Sequence, residues 1–168
     1  LKRTIPGIRK RNPEMEFVLI LASSRYRGTV ETELEGLGVK IEEQSRFYQF
    51  LHRTRLCISC SGTVTLEVAL AGVPQIIVYR LSPLTYAFAR FFLQKKVIGL
   101  PNIILGQMVN PELIQNRFNP EMLLSEVDKI LHDSHLPGEM TKISGDLRKK
   151  ISNGDTFAQV AEVIDDYL

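Results

Sequence analysis

No stretch of the chain approaches the roughly 20 consecutive apolar residues of a membrane-spanning helix, and no secretory signal pattern opens it. A soluble, cytoplasmic protein is the expectation. Only two cysteines occur, Cys57 and Cys60, too few for a disulfide scaffold. Their C-x-x-C spacing falls in an apolar run that reads as a strand, where alternation sends the two side chains to opposite faces. A zinc knuckle would need two further ligands and a redox pair would sit at a helix start, so both thiols are expected to be buried and reduced. The histidines are equally sparse: His52, His132 and His135 have neither metal-ligand spacing nor a partnered nucleophile, so neither a metal nor a cofactor is expected. Charge of one sign is also lacking. With 21 basic and 19 acidic residues the net charge is +2, and nothing announces a nucleic-acid partner. Lys2, Arg3, Arg9, Lys10, Arg11, Arg25, Arg27, Arg46, Arg53 and Arg55 give the first third a basic bias, which reads either as solvated helix faces or as attraction to anionic ligands or lipid headgroups. An initiating methionine is absent as well, and the chain is expected to be a piece of a longer protein.

What is present is ordinary globular composition: 168 residues, 44% hydrophobic and 24% charged, enough for one domain with a helical appendage. The run 17–22 is short, continuous and apolar, as a strand buried on both faces should be. Further strands are expected at 39–41, 56–60, 75–79 and 97–100. Helices are expected between them at 31–37, 45–54 and 62–71, with another beginning at Pro83. This alternation predicts an α/β fold with a parallel sheet flanked by helices. After Pro111 only helices are expected, over 111–117, 119–133, 138–152 and 155–168, with Asn119 and Asp155 as N-caps. The segment 132–138 reads as a linker, which divides the chain into a domain over 1–133 and a helical extension over 134–168.

The most informative letters are Ser61-Gly62-Thr63-Val64-Thr65-Leu66-Glu67, where a buried strand turns into a helix. Amide groups and hydroxyls converge there, and the helix dipole favours an anion. Gly62 lets backbone approach a ligand, while Glu67 suits ribose hydroxyls. An ordinary capped helix with a solvated Glu67 fits the same letters. Neither the Gly-Lys-Ser/Thr P-loop nor the three-glycine dinucleotide fingerprint is present. Arg80, at the next strand end, suits a phosphate or a structural ion pair. Asn102, after Pro101, either reads a base edge or closes a turn.

Taken with Tyr79-Arg80-Leu81-Ser82-Pro83-Leu84-Thr85-Tyr86, Gly99-Leu100-Pro101-Asn102-Ile103 and Pro111-Glu112-Leu113-Ile114-Gln115, the Ser-Gly-Thr block resembles the C-terminal part of the lipid-A-disaccharide synthase family. These are bacterial glycosyltransferases of the GT-B architecture. The likeness is strongest over 15–133. The Ser-Gly helix with its later Glu is shared by the wider GT-B group, whereas the Tyr-Arg and Leu-Pro-Asn blocks point to this family.

The resemblance implies a Rossmann-like half that binds the UDP part of a sugar donor. Ser61, Gly62 and Thr63 would lie at the diphosphate, Glu67 at the ribose and Asn102 near the nucleotide, with Arg80 and Gln115 in support. It also implies transfer of an acylated glucosamine from its UDP carrier to an acylated glucosamine 1-phosphate acceptor, with inversion and without a metal. The acceptor site and the catalytic base would belong to a missing N-terminal domain, so the base stays unassigned and this piece is expected to be inactive alone. A lost first strand would expose a sheet edge and open a route to homo-oligomers, and the acylated substrates imply peripheral contact with the inner membrane. A non-catalytic nucleotide-sugar binding module and a GT-B-like UDP-sugar epimerase stay open beside the transferase.

Overall fold

The computed structural model describes residues 1–60, 62–80 and 97–152. Helix α1 (Ile5–Arg11) carries Pro6 in its first turn, where a missing N–H costs nothing. Strands β1 (Phe17–Leu21) and β2 (Val39–Glu43) pair in parallel around helix α2 (Arg27–Leu34). Helix α3 (Phe47–Leu51) leads to β3 (Cys57–Cys60), α4 (Thr63–Leu70) and β4 (Gln75–Tyr79). Then follow α5 (Leu100–Leu105), β5 (Glu112–Ile114), α6 (Pro120–His132) and α7 (Leu136–Ser152).

The α/β class with parallel strands flanked by helices is as expected, with one difference. The strands form two sheets, β1-β2 and β3-β4-β5, and β1 is not hydrogen-bonded to β3. Parallel order places the carboxyl ends of β3, β4 and β5 along one edge. Those ends lead to Gly62, Arg80 and Gln115.

Two expected elements are corrected. Residues 97–100 hold no strand: Gly99 is the N-cap of α5. The third strand is instead Glu112–Ile114, inside the expected helix 111–117. Tertiary burial overrides the local pattern here, because Leu113 is fully buried beside β4 and the Pro111 carbonyl accepts the Ile77 amide at 2.9 Å. Pro111 cannot donate to a ladder, but a strand start needs no donor from it. The expected helices from Pro83 and over 155–168 lie outside the described residues. Asn119 caps α6 as expected, its Oδ1 accepting the Met122 amide at 2.9 Å. The linker shrinks to 133–135. Helix α7 then packs back on α4, burying Met140 and Leu147, while Ser144 Oγ and Arg148 Nη2 both donate to the Leu70 carbonyl at 2.7 and 2.8 Å. A helix's last carbonyls have no partner within the helix, so α7 satisfies an end of α4 that would otherwise depend on water.

The two faces of the three-stranded sheet differ in chemistry. Ile76, Val78 and Leu113 join Ile8 of α1 and Leu123 and Val127 of α6 in an apolar cluster. The opposite face has a smaller apolar cluster, Leu51, Val68 and Val73, and it also holds buried polar groups. Ser59, Thr65, Gln75, Asn102 and Glu112 are all buried, so each must find its hydrogen bonds inside the protein.

Gly99 shows how close the packing on that face is. A Cβ there would overlap Ile77 Cδ1 and stand 3.1 Å from Glu112 Oε1, whereas Gly138 in α7 has nothing within 4 Å. Gly99→Ala should therefore lower stability by about 1–3 kcal/mol through overpacking. Gly138→Ala should raise it by about 0.5–1 kcal/mol through helix propensity. Urea midpoints moving in opposite directions are the expected outcome; equal midpoints would contradict this packing.

Candidate functional site

At the end of β3 the chain passes through position 61, outside the described residues, and enters α4 at Gly62. Gly62 has φ 146° and ψ −173°, a conformation open to glycine and strained for other residues. Space is not the reason for the glycine, since a Cβ would meet nothing within 4 Å. The Gly62 carbonyl accepts two bonds from Thr65, from its amide at 3.1 Å and from its hydroxyl at 2.7 Å. The amides of Thr63 and Val64 have no acceptor within the helix, and Gly62, as N-cap, has no side chain to offer them. Thr63 is exposed. An exposed helix start, with the positive end of the dipole turned outward, favours an anion.

Glu67 stands one turn further on the same helix face as Thr63. Its Oε2 accepts the Tyr48 hydroxyl at 2.6 Å. Tyr48 is 59% exposed and meets Phe47 edge to face, with ring centres 5.2 Å apart. Accepting the phenol's hydrogen bond, and adding its own charge, Glu67 raises the Tyr48 pKa above the ordinary 10.0. Tyr48 is 19 residues from Glu67 in sequence, and no local pattern betrays the pairing.

The other expected site residues fall into two groups. Arg80 and Gln115 follow the adjacent carboxyl ends of β4 and β5. Arg80 donates to the Phe118 carbonyl at 3.0 Å and lies over the Phe118 ring, 5.7 Å from its centre. Gln115 has φ 53°, a left-handed conformation uncommon outside glycine. Asn102 is instead fully buried. Its Oδ1 accepts the Val109 and Asn110 amides at 2.8 and 2.9 Å, and its Nδ2 donates to the Asn110 carbonyl at 2.8 Å and Glu112 Oε1 at 2.7 Å. Two donors and two acceptors are what an amide side chain has, so all of Asn102 is engaged in holding its own loop. Glu112 also accepts the Ile98 and Gly99 amides at 2.9 and 2.8 Å. Its carboxyl is thus buried against three donors.

Sequence reasoning missed Tyr48, Gln75 and Glu112. A glutamine opening an otherwise apolar strand was the one signal available for Gln75. The thiols divide: burial pushes Cys57 up to about 11, which makes it an inert thiol. Cys60, expected to be buried, is exposed. It ends β3 on the face opposite Cys57, at the open edge.

A cleft of about 400 Å³ lies elsewhere, lined by Thr54, Arg55, Val73, Pro74, Leu131 and Leu136 among others. Thr54 and Pro74 precede β3 and β4, so this cleft is at the amino edge. Ligands of open α/β sheets bind at the carboxyl edge, and the cleft is not the candidate site. Among the described residues no helix is long and apolar enough to cross a membrane.

Fold and site together define a parallel α/β architecture flanked by helices, with a glycine-opened helix start at the carboxyl edge of the sheet. The model of the family described as lipid-A-disaccharide synthetase matches residues 1–160, and the chain belongs to that family, which is one of bacterial glycosyltransferases. It is similar to the lipid-A-disaccharide synthase of Geobacter sulfurreducens, 34% identical over 158 residues, covering 94% of this chain and 41% of the relative. The lipid-A-disaccharide synthase of Syntrophotalea carbinolica is 33% identical over 159 residues, with 94% and 40% covered. That of Nitrosococcus oceani is 31% identical over 162 residues, with 92% and 42% covered. The chain thus spans about two fifths of the length of these curated relatives.

The Tyr48–Glu67 bond generates a pH prediction. A folded-state pKa raised above the unfolded value means that the bond's contribution is fully present below pH 10.0 and is lost as pH rises through the folded pKa. Ultraviolet titration should show one tyrosine ionising late, and Glu67→Gln should bring it back towards its ordinary range. An unchanged titration in that variant would remove the pair.

Proposed function

We propose that this chain is the donor half of a lipid-A-disaccharide synthase and that it binds the UDP of a nucleotide-activated, acylated glucosamine at the start of α4. The observation that carries the reading is Gly62, held in a glycine conformation where β3 opens into α4, with Glu67 one turn behind it. In this reading the amides of Thr63 and Val64, with Ser61 and Gly62, receive the diphosphate. Glu67, oriented by Tyr48, accepts the ribose hydroxyls. Arg80 and Gln115 flank the site from the neighbouring strands, and Asn102 contributes by holding the loop beside it.

The reaction proposed for the whole protein moves the glucosaminyl unit of UDP-2,3-diacylglucosamine to the 6-hydroxyl of 2,3-diacylglucosamine 1-phosphate. The bond between the anomeric carbon and the diphosphate breaks, and the acceptor oxygen forms the new one from the opposite side. The hydroxyl proton passes to a base, and UDP leaves. Negative charge grows on the departing diphosphate, and oriented amides with a nearby guanidinium stabilise it without reorganising. The acceptor site and the base are assigned in this reading to the portion of the relatives' length that this chain does not span. On that division the chain alone binds UDP and does not turn over. Peripheral contact with the inner membrane is part of the same proposal, because both substrates carry acyl chains.

Calorimetric titration tests the reading. UDP should bind the wild-type chain, and Gly62→Ala should weaken it by about tenfold or more, since a side chain there costs about 1–3 kcal/mol or turns the loop away. No heat of binding at millimolar UDP, or equal affinity in the variant, would refute it. For the full-length protein, release of UDP only when both acylated sugars are supplied separates a transferase from a binding module or an epimerase.

A further inference from the structure

The start of α4 is tied to the sheet by a buried polar chain. Ser59 Oγ, on β3, donates to Gln75 Oε1 at 2.8 Å, and Gln75 Nε2, on β4, donates to the Thr65 carbonyl at 2.7 Å. Thr65 in turn donates twice to the Gly62 carbonyl. Ser59, Gln75 and Thr65 are 6%, 1% and 0% exposed, so water does not compete for these bonds. We propose that Gln75, oriented by Ser59, is a positioning residue that aims the first amide of α4 at the ligand. The claim about a ligand rests on the nucleotide reading given above; the claim about aim does not.

The mechanism follows from the planarity of one peptide. In a trans peptide the carbonyl and the amide hydrogen point in opposite directions. Holding the Gly62 carbonyl inward on Thr65 therefore holds the Thr63 N–H outward. Thr65 can serve as that anchor only if it keeps its own place in the first turn of α4, where its carbonyl has no closer tie to the sheet than Gln75. Gln75 supplies the missing constraint from a rigid strand, since its neighbours Ile76 and Ile77 are fully buried. A side-chain amide suits the task because it accepts from Ser59 with one end and donates to Thr65 with the other. Any apolar residue of similar size would fill the volume but leave the turn untied. Preorganised donors bind better than donors that must be ordered on binding.

The test uses Gln75→Met, which keeps the bulk, Ser59→Ala, which removes only the orienting hydroxyl, and the pair together. NMR relaxation of the ligand-free chain should show lower amide order parameters at Gly62 and Thr63 in Gln75→Met, with a smaller drop in Ser59→Ala. The dissociation constant for UDP should rise about tenfold in Gln75→Met. In the double variant no buried hydroxyl is left unpaired, so the melting temperature should recover relative to Gln75→Met while UDP affinity stays low. That split separates positioning from plain stability. Unchanged order parameters at Gly62 and Thr63 in folded Gln75→Met, or UDP affinity that recovers together with stability, would overturn the proposal. If wild-type chain ignores UDP while the order parameters still fall, the positioning role stands and the nucleotide reading falls.

Discussion

The direction of the peptide plane between Gly62 and Thr63 governs what the candidate site can do. Its carbonyl is turned into the protein by two bonds from Thr65, which obliges the Thr63 amide to face out. Parallel pairing of β3 and β4 sets the stage, because it carries the end of β3 to the same edge as Arg80, and β5 adds Gln115. Glycine at 62 permits the turn, and the helix behind it provides the dipole. The N-cap carbonyl of any helix accepts its first intrahelical bond; what is added here is the tie from Gln75 to the Thr65 carbonyl, which fixes that first turn to β4.

The sheet's two faces divide the labour. One is sealed by hydrocarbon between β4, β5, α1 and α6, and hydrophobic burial there is indifferent to small rotations. The other holds directional groups, and direction is what a binding site requires. Gln75 ties α4 to β3 and β4, while Glu112 ties the start of α5 and Asn102 to β5. Each of these polar groups would be costly if unpaired, so the pairing selects one arrangement of the loops above them. The same logic explains why Asn102, which the letters leave between a base contact and closing a turn, spends its whole amide on the loop 109–112.

Local signals explain which parts were legible beforehand. The apolar runs of β1, β3 and β4, the cap at Asn119 and the glycine-opened helix at 62 are each written in a few neighbouring letters, and each appears where the pattern placed it. The segment 97–114 departs from its local pattern because its outcome is decided at a distance. Val97 to Leu100 has strand-like letters, yet Glu112 claims the amides of Ile98 and Gly99. Pro111 to Gln115 looks like a helix start, yet Leu113 gains more by burial beside β4. Tyr48 and Gln75 carry no motif of their own, and their meetings with Glu67, Ser59 and Thr65 are decided by tertiary packing. The division of the parallel strands into two sheets was likewise invisible, since alternating elements declare the fold class and not the continuity of the sheet.

The most direct test is to follow backbone amides of the isotope-labelled chain by NMR as UDP is added. The account predicts that Gly62, Thr63 and Val64 shift first and furthest, with Glu67 and Tyr48 following, while residues lining the amino-edge cleft, such as Thr54 and Pro137's neighbour Leu136, stay still. Shifts centred on that cleft, or none at the start of α4 at saturating UDP, would contradict it.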